Sequence, residues 1–362
     1  MDTGLKKIKF AVVGCGSIGT RHLAVLDAEP NAELVALCDT DAKKREEMSR
    51  LYNVPGYENY LEMLAKTNAE VVNIATPHAL HAPMAIEAAH AKKHILVEKP
   101  MSLTVAEAEK MIKAAKDSDV LLMVVKQNRY NGPVKLADEV IRAGKLGRIF
   151  KVKCDVLWNR GQEYYDNSDW RGRLATEGGA LYTQVSHFLD LLIWWCGDVM
   201  SAKAHIETKN HNIETEDIGS AVLTFASGAM GALTWTTCVH NKNYEGSITI
   251  VGEYGTIKIG GPYLNKIEFW DVKDCPLPEG IVFEDKPNVY AKYQGTSSNH
   301  DKVIADVVNV LNGRPNIMVY GDVGLKTAAA IQKIYEDCRN LTSAETSAGE
   351  AVAGEKSGIA AV

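Results

Sequence analysis

Short apolar runs and longer amphipathic stretches alternate through roughly the first third of the chain. The apolar runs are rich in valine, isoleucine and leucine and have the length of buried strands, whereas the stretches between them have helical periodicity. The pattern predicts strands at 8–13, 34–38, 70–75, 94–97 and 120–125, and helices that end near residue 28 and span 80–91 and 105–117. Strands that alternate with helices in this way form a parallel, doubly wound sheet.

The pattern changes after a helix at 134–143, which ends at Gly144, a residue typical of helix C-termini. Longer alternating or β-branched runs follow at 149–158, 218–225, 229–238, 246–251 and 256–259. Their hairpin-like spacing predicts a mainly antiparallel sheet, with helices at 299–311 and 323–338 on one side. The run Thr234, Trp235, Thr236 and Thr237 indicates that the open face is covered by another subunit, in a homodimer or homotetramer.

Together these patterns predict an N-terminal Rossmann domain of the α/β class at 1–123 and an α+β domain with an open-faced sheet at 124–341. The length of 362 residues agrees with two domains, because domains average about 150 residues. We expect the second domain to bind substrate and to form the subunit contacts. Residues 342–362 lack periodicity and are dominated by Ala, Gly, Ser and Glu, which predicts a disordered tail.

Charge and cysteine content narrow the class of protein. The net charge is −6 and no block of Lys and Arg could track phosphates, so we expect no nucleic-acid partner. No run approaches the length of a membrane span and the N-terminus lacks a signal-peptide pattern, which predicts a soluble cytoplasmic protein without a membrane partner. The seven cysteines are scattered and lack Cys-x-x-Cys spacing, so neither a disulfide framework nor a metal site is expected.

A glycine-rich loop follows the first predicted strand and opens the first helix. It reads Gly14, Cys15, Gly16, Ser17, Ile18 and Gly19, the spacing of dinucleotide-binding loops. The first glycine permits a tight turn, the second lets the backbone approach a pyrophosphate, and the third lets helix and strand pack closely. Asp39 ends the second strand 20 residues after Gly19, the distance expected for a carboxylate that binds the adenosine ribose. A carboxylate there repels the phosphate of NADP, so the predicted cofactor is NAD.

Polar residues also follow the later strands of this sheet, at the edge where open α/β sheets bind ligands. Thr76 and Pro77 end the strand at 70–75, and we expect Thr76 and His81 to contact the cofactor. Glu98 and Lys99 end the next strand and precede Pro100, which restricts the backbone and permits a cis bond. The alternative for Lys99 is a solvated lysine on a loop. Gln127, Asn128 and Arg129 follow the last parallel strand and are expected to form a wall of the cleft.

Two later segments carry ligand-type side chains. The first includes Trp158, Arg160, Tyr164 and Tyr165, followed by Trp170 and Arg171. Aromatic faces stack on sugars or nicotinamide and arginines bind carboxylates or phosphates, although a structural aromatic cluster is an equal alternative. The second is a predicted helix that starts near Ala180, after Gly178 and Gly179. Its residues Thr183, Gln184 and His187 include a four-residue pair on one helix face, although a single helical histidine is more often a core residue.

In combination, these motifs resemble the glucose-fructose oxidoreductase and inositol dehydrogenase (Gfo/Idh/MocA) family over about residues 8 to 340. The resemblance rests on the glycine loop, Thr76-Pro77, Glu98-Lys99-Pro100, Trp170-Arg171, Gly178-Gly179-Ala180 and His187-x-x-Asp190, in this order. It implies a dehydrogenase that transfers hydride from a sugar-like alcohol to NAD, with Lys99 and His187 at the reacting hydroxyl. Many members have an aspartate four residues before the histidine, where this chain has Thr183, so a carboxylate-supported relay is in doubt.

Within the family, the segments 127–129, 158–166 and 245–253 resemble a subgroup that oxidises the C3 hydroxyl of UDP-N-acetylglucosaminuronate for surface-polysaccharide synthesis. The reaction requires a base that removes the hydroxyl proton, and we assign this role to His187, with Lys99 on the same oxygen or itself the base if burial lowers its pKa. It extends the cofactor site to Glu98, Lys99, Gln127, Trp170 and Arg171. The expected sugar contacts are Lys99, Asn128, Arg129, Arg160, Tyr164, Tyr165, Thr183, Gln184 and His187.

Three questions stay open at this stage. Recycling of bound NAD by 2-oxoglutarate occurs in some members of the subgroup, and the sequence does not decide it here. A dehydrogenase of a free sugar or of inositol is the alternative within the same class. An NAD-dependent glycosidase or a sugar-sensing regulator is the alternative of another class, because function does not follow from fold alone.

Overall fold

Two seven-stranded sheets organise the computed structural model, which describes residues 4–284, 287–290 and 293–338. The predicted tail at 342–362 lies outside the described residues. No helix in the described part of the chain is long and apolar enough to cross a membrane.

The first sheet is a Rossmann sheet, in the strand order β16-β6-β5-β4-β1-β2-β3. Its parallel strands are β1 (Ile8–Val13), β2 (Ala32–Cys38), β3 (Gly56–Tyr57), β4 (Val71–Ile74), β5 (His94–Val97) and β6 (Leu122–Val124). The helices between them are α1 (Ser17–Ala28), α2 (Ala42–Tyr52), α3 (Tyr60–Lys66), α4 (His81–His90) and α5 (Val105–Asp117). The predicted fold class of the first domain is therefore confirmed, with α3 and the short β3 added to the predicted elements.

Local sequence accounts for these elements. The four residues of β4 are all buried, as expected for a strand covered on both faces by helices. Helix α5 starts with a capping box, in which the Glu107 amide donates to the Thr104 hydroxyl at 3.1 Å and the Thr104 amide donates to the Glu107 carboxylate at 3.2 Å. Each side chain therefore accepts a backbone amide that the start of the helix would otherwise leave without a hydrogen bond.

The second sheet is mixed and has the order β13-β12-β11-β7-β10-β9-β8. Its strands are β7 (Ile149–Leu157), β8 (Val199–Glu207), β9 (Ile218–Phe225), β10 (Met230–Thr236), β11 (Glu245–Gly252), β12 (Gly255–Gly260) and β13 (Lys266–Val272). All neighbours pair antiparallel except β10 and β7, which are parallel. The remaining elements are α6 (Gly132–Arg142), α7 (Gln162–Asp166), α8 (Ser186–Cys196), β14 (Pro287–Tyr290), β15 (Tyr293–Ser297), α9 (His300–Leu311), β16 (Val319–Tyr320) and a helix α10 at 321–338.

The two faces of the second sheet differ. Leu223 and Phe225 of β9 point into a core that they share with Phe188 of α8, whereas Val222 is 51% exposed on the outer face. Trp235 lies in the same core and is 2% exposed, so the expectation that it lies on the open face with Thr234 was wrong. The reason is the strand geometry, in which successive side chains point to opposite faces.

The chain returns to the first sheet near its end. Strand β16 pairs antiparallel with β6, and apolar residues of α9 are buried together with Ile8 and Phe10 of β1. These segments fall within 124–341, the range predicted for the second domain, yet they complete the first sheet and cover one of its faces. This association is long-range, and local hydrophobic patterning does not encode it.

Candidate active site

A cavity of about 980 Å³ opens at the carboxyl ends of β1, β2, β4 and β5, and residues of the second domain form its opposite wall. Most of the predicted site residues line it: Gly14, Gly16, Ser17, Ile18, Asp39, Thr76, Pro77, His81, Glu98, Lys99, Gln127, Arg160, Tyr164, Trp170, Arg171, Thr183, Gln184 and His187. The predicted residues Gly19, Asn128, Arg129 and Tyr165 do not line it.

The glycine loop has the shape that a dinucleotide requires. Gly14 has φ +93°, and a Cβ there would lie 2.6 Å from the Ala75 carbonyl oxygen. A Cβ on Gly19 would lie 1.7 Å from the Gly14 carbonyl oxygen, so Gly19 serves helix packing and not ligand contact. Gly16 lines the cavity and a Cβ on it would meet no protein atom, so a side chain would occupy ligand space. Together with the N-terminus of α1, this loop fits the pyrophosphate of NAD.

Asp39 is held rigidly at the same end of the cavity. Its carboxylate accepts the Cys15 amide at 2.6 Å and the Asp41 amide at 2.8 Å. Lys44 of α2 also lines the cavity and pairs with Asp41 at 3.1 Å. The Asp41 carboxylate thus offsets the one cationic side chain that α2 contributes to the cavity lining among the described residues.

His81 connects two strand ends. Its ring is fully buried, with Nδ1 2.7 Å from the Pro100 carbonyl oxygen and Nε2 2.9 Å from the Thr76 carbonyl oxygen. Burial lowers the pKa of the ring. Because both ring nitrogens face protein carbonyls, His81 holds the Thr76-Pro77 turn against the Lys99-Pro100 turn, whose peptide bond is cis.

Glu98 lies in a buried cluster with two histidines. His22 of α1 approaches its carboxylate at 2.8 Å and His300 of α9 at 3.5 Å, and the Lys99 amide donates to its other oxygen at 3.1 Å. The bonds from both histidines keep the pKa of Glu98 well below its usual range despite burial. Three separate segments therefore meet at the residue that precedes Lys99.

The Lys99 side chain is half-buried in the lining of the cavity, and its amine donates to the Thr183 carbonyl oxygen at 2.6 Å. Burial lowers its pKa to about 8, and the charges of Lys126 and Arg160 act in the same direction, whereas Glu98 opposes them. The solvated-loop alternative for Lys99 is therefore excluded by its position. An amine near its titration point can donate a hydrogen bond or accept a proton.

His187, on α8, lines the same cavity as Lys99. A π-helical turn at Leu181–Val185 leads directly into this helix, and such local widenings are frequent at functional sites. The ring is 4% exposed, and Nδ1 has no hydrogen-bond partner among the described residues, which leaves Nε2 for the cavity. Burial, followed by the charges of Lys99 and Lys126, holds the pKa of His187 well below its ordinary value. The imidazole is thus neutral at physiological pH.

Lys126, Arg129 and Asp190 form a buried ion cluster. Arg129 donates to both oxygens of Asp190 at 2.8 and 2.9 Å, and the Lys126 amine lies 3.5 Å from the same carboxylate. The guanidinium of Arg129 is therefore committed to Asp190 and is not brought to the cavity. Asn128 is likewise buried away from it, with no side-chain hydrogen bond among the described residues.

Arginines and aromatic rings form the far wall. Arg160 lies over Trp158 and Tyr164, at 5.3 and 5.5 Å from their centroids, and donates to the Asn243 side-chain oxygen at 3.2 Å. Arg171 lies 4.0 Å from the Tyr164 centroid. The Tyr165 side chain is buried outside the cavity lining, and its hydroxyl lies 3.1 Å from the Thr237 hydroxyl oxygen. The cluster is thus a packed set of aromatic and cationic side chains that presents Arg160, Tyr164 and Arg171 to the cavity, and a ligand-binding role for it stays a prediction.

Sequence reasoning missed several lining residues. His78 lies 4.9 Å from the Trp170 ring and bonds the Glu177 carbonyl oxygen through Nδ1 at 2.8 Å. The position of His78 directly after Pro77 could have identified it as a lining residue from the sequence. Arg173 and residues 166–169 extend the far wall, two positions from Arg171 and next to the predicted aromatic segment. Gly295 has no sequence signal, because only the fold brings that distant segment to the cavity.

Comparisons with known proteins agree with this geometry. Residues 8–126 match the profile described as an oxidoreductase family with an NAD-binding Rossmann fold, and residues 134–258 match the GFO/IDH/MocA C-terminal domain. The crystal structure of the WlbA dehydrogenase from Bordetella pertussis, in complex with NADH and UDP-GlcNAcA, is 36% identical, with a TM-score of 0.83 over 92% of this chain and 97% of that chain.

The chain belongs to the Gfo/Idh/MocA family. The WlbA dehydrogenase from Chromobacterium violaceum, also in complex with NADH and UDP-GlcNAcA, is 34% identical, with a TM-score of 0.84 over 92% of this chain and 94% of that chain. Among curated sequences, the glucose-6-phosphate 3-dehydrogenase of Bacillus subtilis is 24% identical over 94% of this chain and 99% of its own length. The predicted family, the enzyme class and the cofactor are confirmed: this Gfo/Idh/MocA member is an NAD-dependent sugar dehydrogenase.

Proposed function

We propose that the enzyme oxidises the C3 hydroxyl of UDP-N-acetylglucosaminuronate to the 3-keto sugar. The observation that carries the proposal is the meeting of Lys99 and His187 in one cavity with the glycine loop and Asp39. The support for this particular sugar is the likeness to two WlbA dehydrogenases, whose structures contain NADH and UDP-GlcNAcA. The arginines on the far wall suit the acidic groups of such a substrate.

In the proposed reaction, the Lys99 ammonium donates a hydrogen bond to the substrate hydroxyl oxygen and lowers the pKa of that hydroxyl. Neutral His187 accepts the hydroxyl proton. Bound NAD supplies the acceptor for the hydride that leaves the same carbon. The loop at Gly14 and Gly16 would hold its pyrophosphate and Asp39 its adenosine ribose.

Recognition of the uronate carboxylate is assigned to Arg160, together with Tyr164. Arg160 lines the cavity and is only 3% exposed, so its guanidinium can pair with a ligand carboxylate in a low-dielectric setting. A site that pairs a charge discriminates against an analogue without that charge by several-fold to several orders of magnitude.

The test compares kcat/KM for UDP-N-acetylglucosaminuronate and UDP-N-acetylglucosamine in wild type and Arg160→Met. We expect wild type to prefer the uronate by about 10²-fold or more and the variant to lose most of that preference. Arg148→Met is the matched control, because Arg148 lies directly before β7, is exposed and does not line the cavity. NADH binding by Arg160→Met checks that the Rossmann domain remains folded.

Oxidation of a free sugar or sugar phosphate is the second candidate, which the similarity to a glucose-6-phosphate 3-dehydrogenase favours. The same assay decides between the two. If wild type oxidises glucose 6-phosphate, myo-inositol or UDP-N-acetylglucosamine as efficiently as the uronate, the nucleotide-sugar-acid proposal is wrong and the general sugar dehydrogenase takes its place.

A homo-oligomer formed through the outer face of the second sheet is part of the proposal. Its support is the row of exposed apolar side chains on β9 and β10, where Val222 is 51% and Met230 is 55% exposed. We expect Val222→Glu to dissociate the assembly in light scattering after size-exclusion chromatography. A wild-type mass equal to one chain of 39.6 kDa would contradict this proposal without affecting the catalytic one.

A further inference from the structure

Glu216 is a buried acid that reaches the segment carrying His187 from a distant part of the chain. It lies two residues before β9 and is 5% exposed. Its Oε1 accepts the Leu181 amide at 3.0 Å. Leu181 is the first residue of the π-helical turn at Leu181–Val185, and the first amides of a helix have no partner within that helix. Glu216 thus supplies an acceptor that the turn itself lacks.

Tyr335 of α10 holds this carboxylate in place. Its hydroxyl lies 2.9 Å from both Oε1 and Oε2 of Glu216 and donates to them. Gly179 packs against the same two groups with φ +115°, and a Cβ on it would overlap the carboxylate and the hydroxyl. Three segments that are far apart in sequence therefore meet at the start of the turn, with no room for one additional methyl group.

The turn connects this contact to the catalytic pair. Thr183 lies within it, and the Thr183 carbonyl oxygen accepts the Lys99 amine at 2.6 Å. His187 follows the turn on α8. Lys99, Thr183 and His187 line the cavity, whereas Glu216 and Tyr335 do not. The Glu216–Tyr335 pair therefore acts on the reacting groups through the backbone of the turn.

We propose that Glu216, held by Tyr335, is a positioning residue that fixes the π-helical turn, so that the Thr183 carbonyl oxygen stays bonded to the Lys99 amine and His187 stays in the cavity lining. The inference rests on the roles that the proposed function gives to Lys99 and His187. It requires hydrogen bonds and not a negative charge. Burial raises the pKa of Glu216 to about 7, and an amide oxygen at this position would accept the same two donors.

Tyr335→Phe is the most direct test, because it removes one hydroxyl and changes no charge near Lys99. The turnover number is measured with the sugar that wild type oxidises fastest and is divided by the number of NADH-binding sites, so that loss of folded protein does not count. We expect kcat to fall about tenfold with unchanged NADH affinity, because a displacement of about 1 Å at the reacting groups costs up to about 10²-fold. Glu216→Leu removes the acceptor itself, so its loss should be the larger.

A second readout follows Lys99 without any substrate. Protein labelled with ¹³C at lysine Cε is titrated by NMR, and the Lys99 signal is assigned by its loss in Lys99→Arg. We expect Tyr335→Phe to lower the Lys99 pKa from about 8 by about 0.5 unit or more, since a bond from the ammonium to the Thr183 carbonyl oxygen favours the charged form. A variant that is merely less stable would keep the Lys99 pKa of its folded fraction.

Matched variants separate positioning from a general loss of stability. Tyr130→Phe also removes a buried tyrosine hydroxyl that donates to a carboxylate, that of Asp306 at 2.7 Å, and neither residue lines the cavity. We expect it to keep the wild-type kcat and Lys99 pKa. Glu216→Gln retains an acceptor for both donors and should stay within about twofold of wild type. The double variant Glu216→Leu/Tyr335→Phe should be little worse than Glu216→Leu, because the two side chains act as a unit.

An unchanged kcat per NADH-binding site and an unchanged Lys99 pKa in Tyr335→Phe and Glu216→Leu would overturn the inference. An equal loss in Tyr130→Phe would overturn it as well, as would a loss in Glu216→Gln as large as in Glu216→Leu. The proposed substrate is tested separately. If wild type oxidises no nucleotide sugar acid but the Lys99 pKa falls in Tyr335→Phe, the substrate proposal fails and the role of Glu216 stands.

Discussion

The protonation state of Lys99 predicts how the rate depends on pH. Its pKa is about 8, lowered mainly by burial, whereas the pKa of His187 is held well below its ordinary value by burial and by Lys99 and Lys126. If the ammonium donates to the substrate oxygen and neutral His187 takes the proton, both groups are in the required state from about pH 6.5 to 8. Activity should therefore fall on the alkaline side as Lys99 loses its proton.

The magnitude follows from the titration. With a pKa of about 8, the protonated fraction of Lys99 falls by about tenfold between pH 7 and pH 9. We expect kcat/KM to fall by the same factor, measured from NADH absorbance with UDP-N-acetylglucosaminuronate as substrate. Between about pH 8 and 6.5 the rate should not decline, because His187 remains neutral there.

Two arginine variants make the assay specific. Lys99→Arg should show a lower rate but no alkaline fall, because a guanidinium stays charged throughout the range. Lys113→Arg, on the exposed side of α5, is the matched control and should keep the wild-type profile. A wild-type kcat/KM that rises about tenfold from pH 7 to 9 would refute the reasoning, because it would make neutral Lys99 the base in place of His187.

Three further predictions follow from the cavity. Asp39→Ala should narrow the preference for NAD over NADP in steady-state kinetics, because it removes the carboxylate at the ribose end; an unchanged preference would refute the ribose assignment. Lys99→Ala and His187→Ala should each lower kcat by about 10²–10⁴-fold while NADH binding persists, and the double variant should be little worse than either one. A near-normal rate in either single variant would place the chemistry elsewhere. Gly16→Val should weaken NADH binding in fluorescence titrations with little change in melting temperature, because Gly16 lines the cavity and a Cβ there would have no protein atom within 4 Å.

Local sequence determined the elements that meet at the cofactor end of the site. The glycine loop follows β1, Asp39 follows β2 and Lys99 follows β5, and these strands lie in a parallel sheet whose carboxyl ends share one edge. Once the alternation of strands and helices was recognised, the proximity of these residues followed from topology alone. Sheet topology alone does not predict that His187 lies near Lys99, because that distance depends on how the second domain packs against the first.

Tertiary structure decided which polar residues line the cavity. Asn128 and Arg129 follow β6 at the binding edge, as Lys99 follows β5, but Arg129 turns to Asp190 of α8 because that buried carboxylate requires a partner. Tyr164 and Tyr165 are adjacent in sequence, yet only the first lines the cavity, since α7 directs the second toward Thr237. A sequence pattern identifies residues with suitable side chains, but it does not show which of two neighbouring residues lines the cavity.

Long-range association determined the rest. Strand β16 and helix α9 return from the end of the chain to the first sheet, and α9 brings His300 to Glu98 beside Lys99. Hydrophobic periodicity and motif spacing are local properties of the chain, so they specify the elements and the chemistry of their ends. The contacts that set charge and orientation at the site form between segments far apart in sequence, and only packing selects them.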